Sequence, residues 1–216
     1  MRKAKPYPGA GHGLKGHAAL TTQDITLSGV EGRVNGQDFR VGGTIVTNGD
    51  TPVFNLNVDV PGADVTAFAD YLPAAVSGTA GFQGTVWGTP QDVSARGTAS
   101  LHDVTYDGYT VDEVRADLAY SHDRVDIASL SAQAYGASLT GKGVYDVRSG
   151  AYEADADVQG LDLSALPGVP AAVMGNLSAS LHAAGNSQDG SIVATGQVKA
   201  SNLSYNGLTV DTAAGR

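Results

Sequence analysis

A nine-residue phrase occurs twice in the chain, and it points to the local fold. Residues 104–112 read VTYDGYTVD, and residues 203–211 read LSYNGLTVD. Asp-Gly and Asn-Gly are the dipeptides that best adopt the two successive positive φ angles of a two-residue type I′ hairpin turn. Each copy of the phrase therefore predicts a tight antiparallel β-hairpin.

The hairpin also predicts how its side chains divide between two faces. Residues that flank a two-residue turn lie opposite each other and share a face of the sheet. The residues grouped on one face are Val104, Tyr106, Tyr109 and Val111 in the first copy, and Leu203, Tyr205, Leu208 and Val210 in the second. The intervening positions carry threonine, serine and aspartate. We therefore expect one apolar and one polar face.

Longer phrases repeat in the same order along the chain. Residues 25–43 align without gaps on residues 125–143, and VDVPGADVTAF from Val58 aligns on ADVQGLDLSAL from Ala156. Self-similarity at a fixed period is typical of repeat architectures. The domain boundaries that follow are an N-terminal tail or partial preceding repeat at 1–16, a first β-groove repeat at 17–113, and a second, truncated repeat at 114–216, the two repeats forming one continuous domain.

Composition favours many short strands. The chain has 216 residues, 42% of them hydrophobic, with 29 glycines. Apolar and charged residues alternate at many points, as in YEADADV from Tyr152, and such alternation is typical of strands that bury one face. Exceptions are DVTAFADYL from Asp64 and DLSAL from Asp162, where the aspartate predicts the cap of a short helical insert.

Charge and motifs exclude several classes of function. A net charge of −9 repels a phosphate backbone, so no nucleic-acid partner is expected. The five histidines lack metal-ligand spacing, and GASLTGKG at 136–143 lacks the final Ser/Thr and the following helix of a phosphate-binding loop. No set of acid, base and nucleophile converges in the sequence. We expect no metal, no cofactor and no enzymatic activity.

The apolar faces allow two architectures. Each repeat closes into its own β-sandwich, as tandem immunoglobulin-like domains do, which would suit a structural or adhesive repeat protein of the cell surface. Alternatively, the chain forms one long sheet. Our prediction is the second: an all-β, repetitive, mostly antiparallel long sheet, curled into an open apolar groove with short helical inserts. Two-residue hairpins belong to antiparallel pairing and disfavour a parallel β-helix.

Three consecutive phrases support a resemblance to a family. GLDLSALPG at 160–168 is followed by VMGNLSASLHAAG at 173–185 and GQVKASNLSYNGLTVD at 196–211. This succession resembles the TamB and AsmA-like proteins of double-membraned bacteria. The resemblance covers both copies and rests on the order of degenerate glycine-and-leucine patterns.

The resemblance implies a location and a role. The parent protein would be anchored in the inner membrane by a segment absent from this chain, and its taco-shaped β-groove would cross the periplasm. The groove would carry phospholipids between the inner and outer membranes, with a role in outer-membrane assembly and homeostasis. A BamA-family outer-membrane barrel would be a partner of other parts of the protein.

The same interpretation assigns residues to the groove. The side chains expected to line it, next to the acyl chains of a phospholipid or another acyl-chain lipid, are Val104, Tyr106, Tyr109, Val111, Leu118, Ile127, Leu139, Leu203, Tyr205, Leu208 and Val210. An ordinary closed core would bury the same residues. The open edges of such a sheet also predict edge-to-edge self-association.

Overall fold

The computed structural model describes residues 13–34, 36–66 and 76–215. These residues form a single sheet of 13 antiparallel strands, arranged in the order of the sequence. The strands are β1 (Lys15–Leu20), β2 (Asp24–Val34), β3 (Gln37–Val46), β4 (Val53–Asp64), β5 (Val76–Thr89), β6 (Asp92–Tyr106), β7 (Tyr109–Ser121), β8 (Arg124–Ala134), β9 (Ala137–Asp146), β10 (Ala151–Asp162), β11 (Val173–Asn186), β12 (Ser191–Tyr205) and β13 (Leu208–Gly215).

Both predicted hairpins are confirmed. Asp107 and Gly108 have φ of 48° and 82°, and Asn206 and Gly207 have φ of 50° and 84°. These are the two successive left-handed residues of a type I′ turn. The residues that flank each turn pair directly, as the repeated phrase predicts. Local turn chemistry therefore sets the register of β6 with β7 and of β12 with β13.

The second predicted insert is a single 3₁₀ turn, Leu163–Ala165. The Asp162 carboxylate caps it, accepting a hydrogen bond from the Ser164 backbone N–H at 2.9 Å. The insert predicted from Asp64 falls mostly on residues 67–75, which lie outside the described residues. Within the described ranges, no helix is long and apolar enough to cross a membrane.

Within the described part of the chain the sheet does not close, and no second layer packs against it. Each described strand pairs only with its neighbours in the chain, so β1 and β13 each pair on one side. Among the described residues the buried hydrophobic side chains are four alanines, Ala63, Ala116, Ala137 and Ala179. The long antiparallel sheet predicted from the sequence is confirmed. Two closed β-sandwiches, the alternative, are not what the chain forms.

Surface area supports the same conclusion. The accessible surface is 14457 Å². A compact protein of 21.9 kDa exposes about 9300 Å². A one-layer sheet contributes to this difference, because both of its faces meet solvent.

A bulge interrupts every even-numbered strand. The register shifts by one residue in β2, β4, β6, β8, β10 and β12. The extra residues lie at 28–29, 61–62, 103–104, 128–129, 159–160 and 202–203. Bulges at equivalent strands recur about 100 residues apart, which defines a structural repeat of six strands. The sequence boundary between 113 and 114 falls inside β7.

Bulges have a mechanical consequence. A bulge bends its strand and increases the local right-handed twist. Because the bulges recur at every second strand, the bending is distributed across the sheet rather than concentrated at one corner. Repeated bulges are also the means by which sheets acquire curvature.

Candidate functional site

The strand register brings apolar residues together in rows that cross the sheet. The central row, in which each residue pairs directly with the next, consists of Val30, Val41, Val58, Gly84, Gly97, Leu118, Ile127, Gly143, Ala154, Ala183 and Ala194. It runs without a polar side chain from β2 to β12. We call the face that carries this row the aliphatic face.

A second row on the aliphatic face contains the larger side chains. It consists of Leu27, Gly43, Leu56, Val86, Ala95, Tyr120, Val125, Tyr145, Tyr152, Gly185 and Ile192. The Tyr152 ring lies over Gly185, within 3 Å of where a Cβ would stand. The Tyr145 hydroxyl lies 3.1 Å from Ser187 Oγ in the turn after β11. The Tyr152 ring thus covers Gly185, and the Tyr145 hydroxyl reaches a polar group of the turn.

The opposite face, here called the polar face, carries charges and hydroxyls that bond across strands. The hydroxyls of Thr98 and Ser129 donate to the Asp117 carboxylate at 2.7 and 2.9 Å. These two hydrogen bonds hold the pKa of Asp117 below its ordinary value. Arg40 Nε pairs with Glu31 at 2.9 Å. The bonds join side chains from adjacent strands, so the polar face is tied together by its own network.

Asp155 shows the same arrangement on the second repeat. His182 Nδ1 lies 2.8 Å from its Oδ1, and Lys142 Nζ lies 3.6 Å from its Oδ2. The hydrogen bond from His182, aided by the charge of Lys142, lowers the pKa of Asp155. Nowhere in the described ranges do three histidine, aspartate or glutamate side chains converge as metal ligands would.

The residues predicted to line a groove occupy three separate places. In the first hairpin Val104 pairs with Val111 and Tyr106 with Tyr109. Near the middle of the sheet Leu118 pairs with Ile127, while Leu139 pairs with Ala132 and Val158. In the second hairpin Leu203 pairs with Val210 and Tyr205 with Leu208. From β7 to β13 is six strand spacings, about 29 Å. The residues therefore mark points along a face and form no single pocket.

A bulge keeps the first hairpin on the aliphatic face. Tyr106 pairs with Val76, which alternates along β5 with Gly84 of the central row. On β6, however, Tyr106 and Gly97 are an odd number of residues apart and would point to opposite faces of a regular strand. The bulge at Asp103, whose φ is 50°, restores the phase. Asn202, with φ of 54°, stands at the corresponding bulge on β12.

Large side chains of the aliphatic face are exposed at the first hairpin tip and toward β13, while most of the central row is half-buried. Tyr106 and Tyr109 are 51% and 52% exposed, Leu181 37%, Ile192 63% and Leu208 76%. Exposure of several large apolar side chains on one face is unusual for soluble monomers and marks an interaction surface. An occupant has direct access to the face from solvent.

Several residues of this face were missed in the sequence. Phe54 and Leu56 share it through their pairing with Ile45 and Gly43. Their signal was the alternation VFNLNVDV at 53–60. The lining residues were instead chosen mainly from the repeated hairpin, where turn chemistry made the faces certain. Elsewhere, the face on which each side chain lies depends on the bulges, so it can be assigned only once the strand register is known.

No family model, no curated protein and no solved structure matches this chain. The resemblance to TamB and AsmA-like proteins therefore stays a prediction from the sequence. Function has to be argued from the geometry of the two faces.

Proposed function

We propose that this chain shields the acyl chains of phospholipids on its aliphatic face, as one segment of a conduit between two membranes. The observation that carries the proposal is the unbroken central row, which runs from β2 to β12 with mostly half-buried side chains and, among the described residues, no second layer over it. A linear apolar molecule laid along that row would meet aliphatic groups at every strand. Its polar headgroup would stay in water at the rim of the face.

The energy of such an interaction is sufficient. Each buried CH₂ contributes about 0.8 kcal/mol, so a fully covered sixteen-carbon tail gains on the order of 10 kcal/mol. About 8 kcal/mol corresponds to a Kd near 1 μM, so covering roughly half of each of the two tails of a phospholipid would hold it on the face at micromolar concentrations. Full enclosure of the tail is therefore unnecessary, and an open groove suffices.

The regularity of the rows favours movement along the sheet. Successive strands lie about 4.8 Å apart and present similar small or branched side chains. A lipid that shifts by one strand exchanges one set of aliphatic contacts for an equivalent set. We expect a small barrier to sliding, because no charged or deep pocket interrupts the central row. The distributed bulges, by bending the strands, would curl this row into a groove.

The cellular setting in this proposal follows the sequence resemblance. The chain would lie in the periplasm of a double-membraned bacterium, in a parent protein anchored in the inner membrane. Phospholipid would pass toward or from the outer membrane, and a BamA-family barrel would join through other parts of that protein. The role would be non-enzymatic transport that supports outer-membrane assembly and homeostasis.

The test compares a charge on each face. Leu181, on the aliphatic face, pairs with Ala156 and Gly196. Thr195, exposed on the polar face, pairs with His182. The wild type, Leu181→Asp and Thr195→Asp are purified from bacterial cells under mild conditions and examined by native mass spectrometry. We expect co-purified phospholipid with the wild type and Thr195→Asp, and at least a tenfold loss with Leu181→Asp.

Circular dichroism establishes that all three proteins keep the sheet. Two results would contradict the proposal. One is a wild type that carries no lipid and takes up none from phospholipid micelles. The other is equal lipid on all three proteins, which would mean that the aliphatic face is not where lipid binds. Tyr106→Asp, in the first hairpin, tests whether the same face extends to the hairpin tip.

A further inference from the structure

The single tryptophan of the chain, Trp87, lies on the polar face. Val86, the residue before it on β5, belongs to the aliphatic face, and successive side chains of a strand point to opposite faces. The Trp87 side chain is 38% exposed, and its Nε1–H has no hydrogen-bond partner within the described ranges. An exposed indole on this face takes no part in the surface proposed for lipid, so it calls for a separate explanation.

The residues that flank the indole directly are uncharged. Asn55 and Ser94 pair with Trp87 from the two adjacent strands, and Asn57 pairs with Thr85 two residues along. The Thr85 hydroxyl donates to the Asn57 side-chain oxygen at 3.1 Å, which leaves the Asn57 NH₂ group free to donate outward. Asn55 is exposed and makes no side-chain hydrogen bond in the part of the chain that the structure describes. The indole therefore lies among amide and hydroxyl groups that donate and accept.

A shallow depression adjoins this group of residues on the same face. Its volume is about 450 Å³, and polar side chains that line it include Arg40, Asn57, Asp59 and Gln83. Gly42 pairs directly with Asn57 and has no side chain to fill the space. Concave sites of about 300–1,000 Å³ with a few well-placed polar groups are the usual form of a small-molecule site. Asn57 belongs both to the depression and to the surroundings of the indole, so the two form one surface.

The second repeat has a different chemistry at the equivalent positions. The strands pair there in the same register, and the residues that correspond to Gly42, Asn55, Asn57, Thr85 and Trp87 are Lys142, Glu153, Asp155, His182 and Ala184. An ionic network centred on Asp155 replaces the amides, and alanine replaces the indole. The sheet can therefore be built without these features, and the neutral aromatic surface is a property of the first repeat.

We propose that this surface binds a neutral oligosaccharide of pyranose rings, with one ring stacked on Trp87. A pyranose offers a face of C–H groups that packs on an aromatic ring, and its rim carries hydroxyls that exchange hydrogen bonds with amides. The Trp87 Nε1–H and the Asn57 NH₂ group would donate to these hydroxyls, while Asn55 would both donate and accept. The depression begins two residues along the strands, about 7 Å away, so a neighbouring sugar unit would reach it.

Charged side chains lie at the margin of this surface and carry both signs. Arg96 pairs with Thr85, and Asp92 lies two residues before Ser94 on β6. Both are exposed, and within the described residues no carboxylate pairs with Arg96. They provide a further donor and a further acceptor for sugar hydroxyls. Because their charges oppose each other and the direct neighbours of the indole bring none, the surface favours a neutral glycan over an anionic one.

Tryptophan fluorescence tests the proposal at the site itself, since Trp87 is the only tryptophan. The chain is titrated with cellohexaose, maltohexaose and chitohexaose as neutral probes. We expect at least one of them to give a saturable blue shift of the emission, with a Kd of about 1 mM or tighter. Calorimetry with the same sugar should show at least a tenfold weaker affinity for Trp87→Ala, and a weaker affinity for Asn55→Ala.

The matched control for Asn55→Ala is Glu153→Ala, the same change at the equivalent position of the second repeat. It should bind the sugar as the wild type does, and circular dichroism establishes that every variant keeps the sheet. Leu181→Asp, on the aliphatic face, should also bind normally, so the test is independent of lipid binding. Two results would overturn the proposal: none of the three sugars gives a saturable shift, or Trp87→Ala binds the sugar as tightly as the wild type.

Discussion

At the scale of single residues, two glycines of the central row make a close contact between neighbouring strands. Gly84 of β5 and Gly97 of β6 lie directly opposite each other. A Cβ on Gly97 would stand 2.7 Å from the Gly84 Cα and in hard contact with the Gln83 carbonyl oxygen. A Cβ on Gly84 would stand 2.8 Å from the Phe82 ring. The missing side chain of Gly84 leaves room for the Phe82 ring.

This packing predicts a position-specific cost of adding a methyl group. Gly97→Ala should lower the free energy of unfolding by about 1–3 kcal/mol, the usual cost of overpacking. Gly62→Ala, where no atom lies within 4 Å of the added Cβ, should change it by less than about 1 kcal/mol. Urea unfolding measures both. Indistinguishable midpoints would mean that the two strands separate easily at Gly97.

Residues differ in how well the sequence predicted them. The turn at Asp107 and Gly108 could be predicted from the sequence, because the preference of these residues for positive φ is local. The contact between Gly84 and Gly97 needed the register of β5 with β6, which no local preference encodes. The lining residues Tyr106 and Tyr109 were placed correctly opposite each other. Whether their face continues into the central row depended on the bulge at Asp103, which alternation alone did not reveal.

At the scale of elements, each bulge adds one residue to its strand and keeps the apolar side chains before and after it on the same face. On β10, Val158 and Leu161 pair with Ala179 and Leu177 of β11, which are two residues apart. The bulged strand has three residues where its partner has two. Removing one bulge residue would leave a regular strand whose apolar residues stay on the aliphatic face. Removing a residue elsewhere would move part of the strand to the wrong face.

Two deletions in β10 test this distinction. Deletion of Gly160, which lies in the bulge with φ of 72°, should cost about 1 kcal/mol and flatten the sheet locally. Deletion of Asp155 in the regular part should cost about 3 kcal/mol or more, because charged neighbours such as Glu153 must turn toward the aliphatic face. Urea unfolding gives both values. Equal losses would mean that strand phase does not control stability.

The repeat of phrases was visible in the sequence, but the six-strand unit was not. Alignment by phrases placed a boundary at 113 and 114, inside β7, because sequence similarity does not stop at turns. The helical character predicted at Asp162 proved to be one 3₁₀ turn, since only four residues follow the cap before Pro167. Capping chemistry was predicted correctly there, while the length of the insert depended on the sheet around it.

At the scale of the whole molecule, stability comes from pairing between neighbours in the chain. Contacts among the described elements join consecutive strands and the 3₁₀ turn to β11. Such a molecule gains little from compactness, and it resembles a repeat array in which each unit contacts only the next. Its shape should therefore differ measurably from that of a globular protein of equal length.

Small-angle X-ray scattering at low concentration measures that difference. A compact chain of 216 residues has a radius of gyration of about 17 Å. Thirteen strands span about 58 Å across the sheet and about 40 Å along the strands, which gives a radius of about 20 Å or more. Curling the sheet into a half-cylinder shortens its width and lowers this radius to about 18–19 Å, which is still above the compact value. A radius near 17 Å would mean that the sheet folds onto itself in solution and that the face is a closed core. The larger radius is therefore a precondition for binding lipid on this face.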